Sequence, residues 1–387
     1  MRYSFRLAQI LGYDPDPRRR PGTIKAIVQQ TGLDRHQVSA LLKNEVKYIP
    51  LHALSRICDF LVRQGYVPAD ELPGALFGVE PENFWELLAR RKHLALCLGV
   101  RCEDAQYPET AWVVASDSVL MGELLNGVST LGGTAQQRYS DAKNKPHPER
   151  LLQPLVWSPG VRKREEVEQQ ARHVYDEFLA TAGDKGLVCL GSVKSNPVAE
   201  ILVAETFGCP PFANQDAVRS AADRSCPMYM RFRASDPHVE SCWGGVRLAA
   251  DQPTEEPGIY YELPDGSWQA ALWDESTQDA AFVFYVYYEA LGKLEMVLGG
   301  FSGRSTRLLA KTLAGQAQEF WPPVYAKHGV QIGAFVVRYT LANRQPQASD
   351  ILRTDWSAQT EVIRLSGDVI ARKLKPSQQW DVAEASV

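Results

Sequence analysis

The spacing of apolar residues changes along this 387-residue chain, and the change divides it into two kinds of structure. Up to about Tyr66, apolar residues recur at intervals of three and four, which is the period of an amphipathic helix. From about Leu94 they form short uninterrupted runs with glycine-rich ends, which are typical of strands buried on both faces. We therefore expect a helical N-terminal domain followed by an α/β body.

The N-terminal segment divides into three predicted helices. Thr23 can cap the first helix. Gly32 suits a left-handed turn, and Asp34 can cap a second helix over residues 35–44. A third helix follows Pro50 and has one apolar stripe. Two helices joined by a short glycine-containing turn, with a third packed beside them, predict an all-α helix-turn-helix domain over residues 1–70.

The rest of the chain alternates predicted strands and helices. Strands are predicted at residues 94–100, 112–115, 187–190, 281–287, 294–298 and 332–339, and helices at 84–91, 118–131, 163–182, 197–207 and 304–320. Residues 71–93 read as a linker with a short helix, and the irregular stretch 212–278 has one predicted strand, at 228–233. The alternation predicts a three-layer Rossmann-like α/β domain over residues 94–345, followed by a C-terminal extension, 346–387, with a polar end typical of disorder.

The segment TIKAIVQQTGLDRHQVSALLKNEVKYIPLHALSRICDFL resembles the phage-repressor and Cro-like class of helix-turn-helix regulators. Its glycine in the turn, its valine within the second helix and its third helix after a proline fall where that class has them. The resemblance implies that the second helix is the recognition helix, whose first residues reach base edges in the major groove. Base contacts are expected from Arg35, His36, Gln37 and Ser39, and phosphate contacts from Lys25, Lys43 and Lys47.

The charge distribution supports DNA as the partner. Residues 1–65 carry eleven Lys or Arg and five Asp or Glu, a net +6, which leaves −10 for the rest of a chain whose total is −4. A basic head on an acidic body is typical of a module that binds a polyanion. The basic excess argues against the alternative, a helical hairpin that contacts only protein. The run Arg18-Arg19-Arg20 either enters a groove or forms a solvated surface.

Two predicted strand-to-helix loops have the composition of an anion site. Backbone amides at the start of a helix attract anions, and glycine lets a ligand approach closely. Expected ligand contacts are Gly191, Ser192, Lys194, Ser195 and Asn196 in the first loop, and Gly299, Gly300, Ser302, Gly303 and Arg304 in the second. Neither loop matches the triphosphatase pattern GxxxxGK[ST]. For each loop, the alternative is a tight turn with a capped helix and no ligand.

We expect both loops at the same edge of the sheet, facing one cleft. The reason is that each follows a strand and opens a helix, and parallel strands have their carboxyl ends at one edge. Lys194 and Arg304 would repel each other there unless an anion lay between them. Asp117, which follows another predicted strand, would contact a ribose or base of the ligand or, the reading we favour, cap the next helix.

The chain shows no assembled catalytic motif. It contains neither HExxH nor GxSxG, and the candidates for an acid or base beside the predicted loops are Asp117, Asp236 and Glu289. The seven cysteines are dispersed, without a CxxC pair or a histidine at zinc-ligand spacing, so we expect buried thiols and neither a disulfide framework nor a metal site. No apolar run is long enough to span a membrane, and no leader is visible, so we expect a cytoplasmic protein.

Two functions from different classes fit these features. The first is a homodimeric transcription regulator that binds duplex DNA and senses a small anionic ligand, a nucleotide or another phosphorylated effector; no motif calls for a tightly bound cofactor. The second is a nucleotide-processing or defence effector enzyme, in which the helix-turn-helix only recruits or autoregulates. The absence of an acid, base or nucleophile visibly placed beside the glycine loops favours the regulator. A third reading is a DNA-binding scaffold whose body docks another protein.

Overall fold

The computed structural model describes residues 3–12, 23–102, 110–130, 151–181, 184–213, 220–237, 239–246, 256–327, 329–341 and 348–374. The α-helices are α1 (Leu7–Ile10), α2 (Thr23–Thr31), α3 (Arg35–Leu42), α4 (Leu51–Arg63), α5 (Phe84–Ala89), α6 (Ala115–Thr130), α7 (Arg164–Ala180), α8 (Pro197–Phe207), α9 (Gly303–Gln316), α10 (Ala348–Arg353) and α11 (Gly367–Lys373). Short 3-10 helices occur at Ala69–Glu71, Gly74–Leu76, Ala221–Asp223, Glu289–Leu291, Ala317–Phe320 and Ser357–Gln359.

The strands of the described residues form three sheets. They are β1 (Tyr3–Phe5), β2 (Phe77–Val79), β3 (His93–Arg101), β4 (Trp112–Val113), β5 (Leu151–Leu152), β6 (Leu155–Trp157), β7 (Lys185–Leu190), β8 (Met228–Arg231), β9 (Gly244–Gly245), β10 (Gly258–Glu262), β11 (Trp268–Leu272), β12 (Gln278–Tyr288), β13 (Lys293–Gly300), β14 (Tyr325–Lys327), β15 (Val330–Thr340) and β16 (Thr360–Arg364). Every strand expected in the body has a counterpart, so the prediction of an α/β body is confirmed.

The three predicted N-terminal helices are α2, α3 and α4. Gly32 takes φ +67°, as the turn requires, and Asp34 caps α3 through Oδ1, which accepts a hydrogen bond from the Gln37 amide at 2.8 Å. Helix α3 ends at Leu42, two residues before the predicted end, and Asn44 follows in a left-handed conformation with φ +58°. Local capping and turn preferences therefore account for where α3 begins and ends.

The first part of the predicted linker, up to β2, belongs to the N-terminal fold. Strand β2, at residues 77–79, pairs antiparallel with β1, so that Tyr3 lies opposite Val79, and the prediction of an all-α domain over residues 1–70 is therefore wrong. Phe5 and Leu76 are buried in the same hydrophobic cluster as the apolar faces of α2, α3 and α4. Helices of this length are marginal alone and depend on such packing. The helix-turn-helix core therefore includes side chains beyond residue 70.

The large sheet of the body is mixed. Its order is β14-β15-β12-β13-β7-β3-β4, with β16 beside β15 and with β5 and β6 beside β3. Strands β3, β7 and β13 are mutually parallel, whereas β12 runs antiparallel to both β13 and β15. Only Glu289–Leu291 and Gly292 separate β12 from β13, and so short a connection can join only antiparallel neighbours. The Rossmann-like assignment stays a prediction.

Both faces of this sheet are covered, which explains the uninterrupted apolar runs. One face packs on α5, α6, α9 and α10, and the other on α7, α8, α11 and the small sheet β11-β10-β8-β9. Along β3, Leu96 and Leu98 face the first cluster, while Ala95 and Cys97 face the second. The single strand expected in the irregular stretch 212–278 is β8, and the structure adds β9, β10 and β11 to form the small sheet. From the C-terminal extension, β16 joins the large sheet; residues 375–387 lie outside the described residues.

Arg6 joins the N-terminal unit to the body. Its side chain is 2% exposed; Nη1 donates to the Glu289 carbonyl at 2.5 Å, and Nη2 donates to the Tyr287 hydroxyl at 3.0 Å. Nearby, Asn44 Nδ2 donates to Glu289 Oε2 at 3.3 Å, while its Oδ1 accepts from the Phe5 amide at 2.7 Å. We call Arg6, Asn44, Tyr287 and Glu289 the interdomain contact.

Carboxylates surround the Arg6 guanidinium. Glu80 Oε1 lies 3.6 Å from Nη2, and Asp184 Oδ1 lies 3.5 Å from Nη1. Burial raises the pKa of Glu80 above its ordinary value, although the charge of Arg6 opposes that shift. A buried carboxylate of this kind needs its cation, since an uncompensated charge in the interior is costly.

We therefore predict that Arg6→Met, which keeps bulk but removes the charge, destabilises the chain by about 3–5 kcal/mol. Chemical denaturation of the full chain measures the change. The double variant Arg6→Met with Glu80→Gln should recover part of it, because it removes an orphaned charge. The matched control is Arg90→Met, since Arg90 forms a partly exposed pair with Glu86. Equal stability of the Arg6 and Arg90 variants would contradict the prediction.

Candidate nucleic-acid interface and strand-edge site

The N-terminal end of α3 is presented to solvent. Arg35, His36 and Gln37 are exposed and Ser39 is half-buried, while Val38, on the opposite side, is completely buried in the core. A recognition helix needs this division, because the buried side fixes its position and the exposed side remains available for bases. The four predicted base-contacting residues therefore share one accessible end of a well-anchored helix.

Gln37 has a structural task as well. Its Oε1 accepts a hydrogen bond from the Asp34 backbone amide at 3.2 Å, so Gln37 completes a capping box at the start of α3. A bidentate contact to adenine uses both ends of the amide group. While the cap is closed, Gln37 therefore offers a base its Nε2 group rather than both ends.

The predicted phosphate contacts lie around the same helix. Lys25 and Lys47 are exposed, and Lys43 is half-buried at the end of α3. The body approaches closely there, because a Cβ added at Gly329 would lie 3.0 Å from the Lys43 carbonyl oxygen. The arginines at 18–20 lie outside the described residues.

The two predicted loops of the body lie side by side. Strands β7 and β13 are parallel neighbours, so their carboxyl ends share one edge of the sheet. A Cβ added at Gly299 would lie 2.8 Å from the Gly191 carbonyl carbon. At Gly300, an added Cβ would lie 2.2 Å from the Thr306 backbone nitrogen. Close backbone packing alone thus accounts for these two glycines of the second loop.

Most polar side chains in these loops have partners within the protein. Asn196 is completely buried and caps α8, because its Oδ1 accepts from the Val198 amide at 3.1 Å while Nδ2 donates to the Cys97 carbonyl at 2.9 Å. Ser302 caps α9, with Oγ accepting from the Arg304 amide at 3.1 Å. Ser192 Oγ accepts from the Lys194 amide at 3.3 Å. These contacts support the alternative of capped turns for these positions.

The two loop cations are already neutralised by carboxylates. Lys194 Nζ lies 3.1 Å from Asp236 Oδ2 and donates to the Phe301 carbonyl at 2.8 Å. Burial lowers the pKa of Lys194 to about 8, although Asp236 opposes the shift. Arg304 Nε lies 2.9 Å from Oδ2 of the completely buried Asp279. Lys194 and Arg304 therefore need no anion between them, and that prediction is wrong. It failed because their carboxylate partners, Asp236 and Asp279, lie far from them in the sequence.

Asp117 lies at the same edge of the sheet. Its strand β4 runs antiparallel to β3 rather than parallel, but it pairs only with Val100 and Arg101, at the carboxyl end of β3. Helix α6 begins at Ala115 and not at residue 118, so Asp117 lies in its first turn and the favoured prediction that Asp117 caps this helix is wrong. A Cβ added at Gly191 would lie 3.4 Å from Asp117 Oδ2. The side chain thus lies over the first glycine loop.

Several polar groups converge around Asp117. A Cβ added at Gly303 would lie 3.4 Å from Ser116 Oγ, and one added at Gly191 would lie 2.2 Å from Ser195 Oγ. Arg307 is half-buried in α9, and its positive charge favours the ionised form of the Asp117 carboxyl group. We call this group the strand-edge site; its members are Ser116, Asp117, Gly191, Ser195, Gly303 and Arg307.

The Asp117 carboxyl group holds its proton unusually tightly. It is 4% exposed, and burial raises its pKa from 3.8 to about 6, despite a hydrogen bond from Ser116 and the charges of Arg101 and Arg307. Among the ion pairs of the described residues, none includes Asp117. Three helices, α6, α8 and α9, begin near this carboxylate, and the positive ends of their dipoles favour negative charge there. The arrangement can accept a proton or a hydrogen bond from a hydroxyl group.

The other candidate acids are engaged elsewhere. Hydrogen bonds from Arg233 and Lys194 hold the pKa of Asp236 below its ordinary value, although burial opposes them. Glu289 lies at the opposite end of β12, where Oε1 accepts from Gln331 Nε2 at 2.7 Å. Neither Ser116 nor Arg307 was among the ligand contacts expected from the sequence. A signal was present for both, because Ser116 adjoins Asp117 and Arg307 lies one turn after Gly303.

Comparison with known proteins identifies the N-terminal unit. Residues 18–62 match the model of the Cro/C1-type HTH DNA-binding domain. No curated protein matches the chain, and no solved structure matches it. Among the described residues, no helix is both long and apolar enough to cross a bilayer. The predicted helix-turn-helix of the Cro-like class is thereby confirmed, and it supports a DNA-binding regulator.

The raised pKa of Asp117 makes stability depend on pH in a defined direction. The folded chain binds this proton more tightly than the unfolded chain, so stability is lost as the pH rises from 3.8 to about 6 and the loss stays constant above that range. Asp117→Asn should therefore stabilise the protein at pH 8 by on the order of 3 kcal/mol, with little effect below pH 4.

Denaturant titrations of wild type and Asp117→Asn at both pH values test this prediction. Asp176→Asn, on the exposed side of α7, is the matched control and should behave as wild type at both. If the main effect of Asp117 is instead that its negative charge stabilises the first turn of α6, its replacement by Asn would destabilise the protein at pH 8, and the sign would contradict us.

Proposed function

We propose that this chain is a sequence-specific DNA-binding transcription regulator whose α3 helix reads base edges in the major groove. One observation carries the proposal: in a unit that matches the Cro/C1-type domain, the N-terminal end of α3 is exposed while its other side is locked into the core. Arg35 is the main candidate for a guanine contact, since its guanidinium can donate two parallel hydrogen bonds. Lys25 and Lys47 would hold phosphates.

A symmetric dimer is the assembly that this geometry favours. Helix α3 has eight residues, and a single short helix contacts few base pairs. Two linked copies that bind symmetric half-sites about one helical turn apart would add their binding free energies. We therefore expect a homodimer and a palindromic operator.

The body is proposed to sense a small anionic ligand at the strand-edge site. The exposed Gly303 opens α9, the positive end of that helix dipole favours an anion, and Arg307 lies beside it. Asp117 would accept a hydrogen bond from a ligand hydroxyl, such as that of a ribose. A buried carboxylate without a cation partner costs stability, and such costs concentrate at functional sites.

Strand β12 offers a physical connection between this site and the DNA-binding unit. Near its start, beside the strand-edge site, Asp279 forms an ion pair with Arg304. Near its end, Tyr287 accepts a hydrogen bond from Arg6 in the interdomain contact. Glu289 follows and binds Asn44 directly after α3. A ligand would regulate DNA binding if it had different affinities for two arrangements of this contact.

The alternative is an enzyme that processes nucleotides, with Asp117 as its acid or base. A carboxyl group with a pKa of about 6 suits general acid–base catalysis near neutral pH. Asp236 and Glu289 do not assist it, since the first is paired with Lys194 and the second lies at the other end of β12. Among the described residues, the one side-chain hydroxyl that hydrogen-bonds Asp117 is that of the adjacent Ser116. Because no other nucleophile contacts the carboxyl group there, we favour the regulator.

Arg35→Ala in the full chain should weaken binding to the preferred duplex by roughly 1–3 kcal/mol and relax the preference at one base position. Lys25→Ala should instead weaken binding to preferred and random duplexes alike and reduce the salt slope by about 0.9. Fluorescence anisotropy with both duplexes at several salt concentrations measures these changes. Arg63→Ala, an exposed arginine at the end of α4, is the control. An Arg35 variant that discriminates between the two duplexes as well as wild type would contradict the assignment.

Ligand sensing predicts that a phosphorylated compound raises the melting temperature of the full chain, since binding to the folded state stabilises it. The compounds to be screened are nucleoside monophosphates, cyclic dinucleotides and inorganic phosphate. Arg307→Ala should remove the shift, whereas Arg353→Ala, exposed on α10, should preserve it. If no compound shifts wild type, or if Arg307→Ala responds as wild type does, ligand sensing at this edge is wrong, while DNA binding is unaffected.

A further inference from the structure

Three cysteine side chains meet in the interior of the body, away from the strand-edge site. The sulfur atoms of Cys209, Cys226 and Cys242 all lie within 4.8 Å of one another, and all three residues are buried. The Cys226 and Cys242 sulfurs are 3.9 Å apart. We call these residues the thiol triad.

The triad is assembled from three separate segments. Cys209 follows the end of α8, Cys226 precedes β8, and Cys242 precedes β9. Their separation in sequence has none of the short spacing of familiar zinc motifs, so sequence analysis predicted buried thiols and no metal. The fold nevertheless places the sulfur atoms close enough for one ion to contact all three.

A buried carboxylate fixes the backbone around two of these cysteines. Glu200 Oε1 accepts hydrogen bonds from the Cys242 amide at 2.7 Å and from the Phe212 amide at 2.8 Å. Glu200 Oε2 accepts from Ser241 Oγ at 2.5 Å. One side chain thus holds the segment after Cys209 and the segment that contains Cys242. Outer hydrogen bonds of this kind are what pre-organises the ligands of metal sites.

We propose that Cys209, Cys226 and Cys242 bind one thiophilic cation, Cu⁺ or Zn²⁺, through their three sulfur atoms. Thiolates are soft ligands that select these ions. Among the described residues, no fourth His, Asp, Glu or Cys belongs to the group. Three sulfurs satisfy Cu⁺ by themselves, whereas Zn²⁺ would complete a tetrahedron with one further ligand. On binding, each thiol releases its proton to solvent as its sulfur–metal bond forms, and no oxidation state changes.

Such an ion would stabilise one wall of the strand-edge region. Cys226 and Cys242 flank the segment that carries Asp236, and Asp236 binds Lys194 of the first glycine loop. Cross-linking the two cysteines through a metal would restrict that segment and keep Asp236 in place. The proposal does not rest on ligand sensing or on DNA binding.

The test uses the full chain purified without oxygen, made metal-free with a reductant and a chelator, and titrated separately with Cu⁺ and Zn²⁺ against a chromophoric competitor. One equivalent of one ion should bind, and X-ray absorption of that complex should show three sulfur neighbours. Cys226→Ala should lower the affinity at least about tenfold, as loss of a ligand requires. Cys102→Ala, which alters a thiol outside the triad, is the control and should bind as wild type.

The absorption measurement needs no variant, so it remains decisive if Cys226→Ala fails to fold. Binding of either ion by three sulfurs supports the proposal, and the tighter of the two titrations identifies the ion. The site is wrong if wild type binds neither ion more tightly than Cys226→Ala does, if the bound ion has nitrogen or oxygen neighbours in place of sulfur, or if Cys226 and Cys242 form a disulfide in the anaerobic protein.

Discussion

The buried guanidinium of Arg6 is the interaction on which the arrangement of the two parts depends. It extends from the N-terminal strand β1 into the body and donates to the Glu289 carbonyl and to the Tyr287 hydroxyl at the end of β12. Asn44 adds a second contact to the same glutamate directly after α3. Helix α3 is therefore held by the body as well as by its own core.

Local signals predicted α2 to α9, because each depends on residues close in sequence, but they did not predict α1, α10 or α11. Gly32 and Asp34 determine where α3 begins, and the three predicted N-terminal helices are α2, α3 and α4. The direction of β12 could not be found in this way, since it follows from the short hairpin to β13 and not from its apolar pattern. The short strands of the small sheet lie in a segment rich in Pro, Gly and Asp, which hides their periodicity.

The candidate site was predictable in position but not in its charges. Two glycine loops and Asp117 were expected at one sheet edge, and the parallel pairing of β7 with β13 puts the two loops there. The partners of Lys194 and Arg304, however, are Asp236 and Asp279, which no local pattern connects to these cations. Both cations are thus neutralised within the protein. Asp117 differs from them, because its buried carboxyl group has no oppositely charged partner among the ion pairs of the described residues.

The central claim is that the full chain reads DNA sequence through α3. Selection from a pool of random duplexes, followed by sequencing of the retained molecules, tests it most directly. The account predicts enrichment of one motif, arranged as two symmetric half-sites about one helical turn apart. Retained duplexes without a common motif, together with binding that disappears as salt approaches physiological concentration, would show that the chain does not recognise DNA sequence.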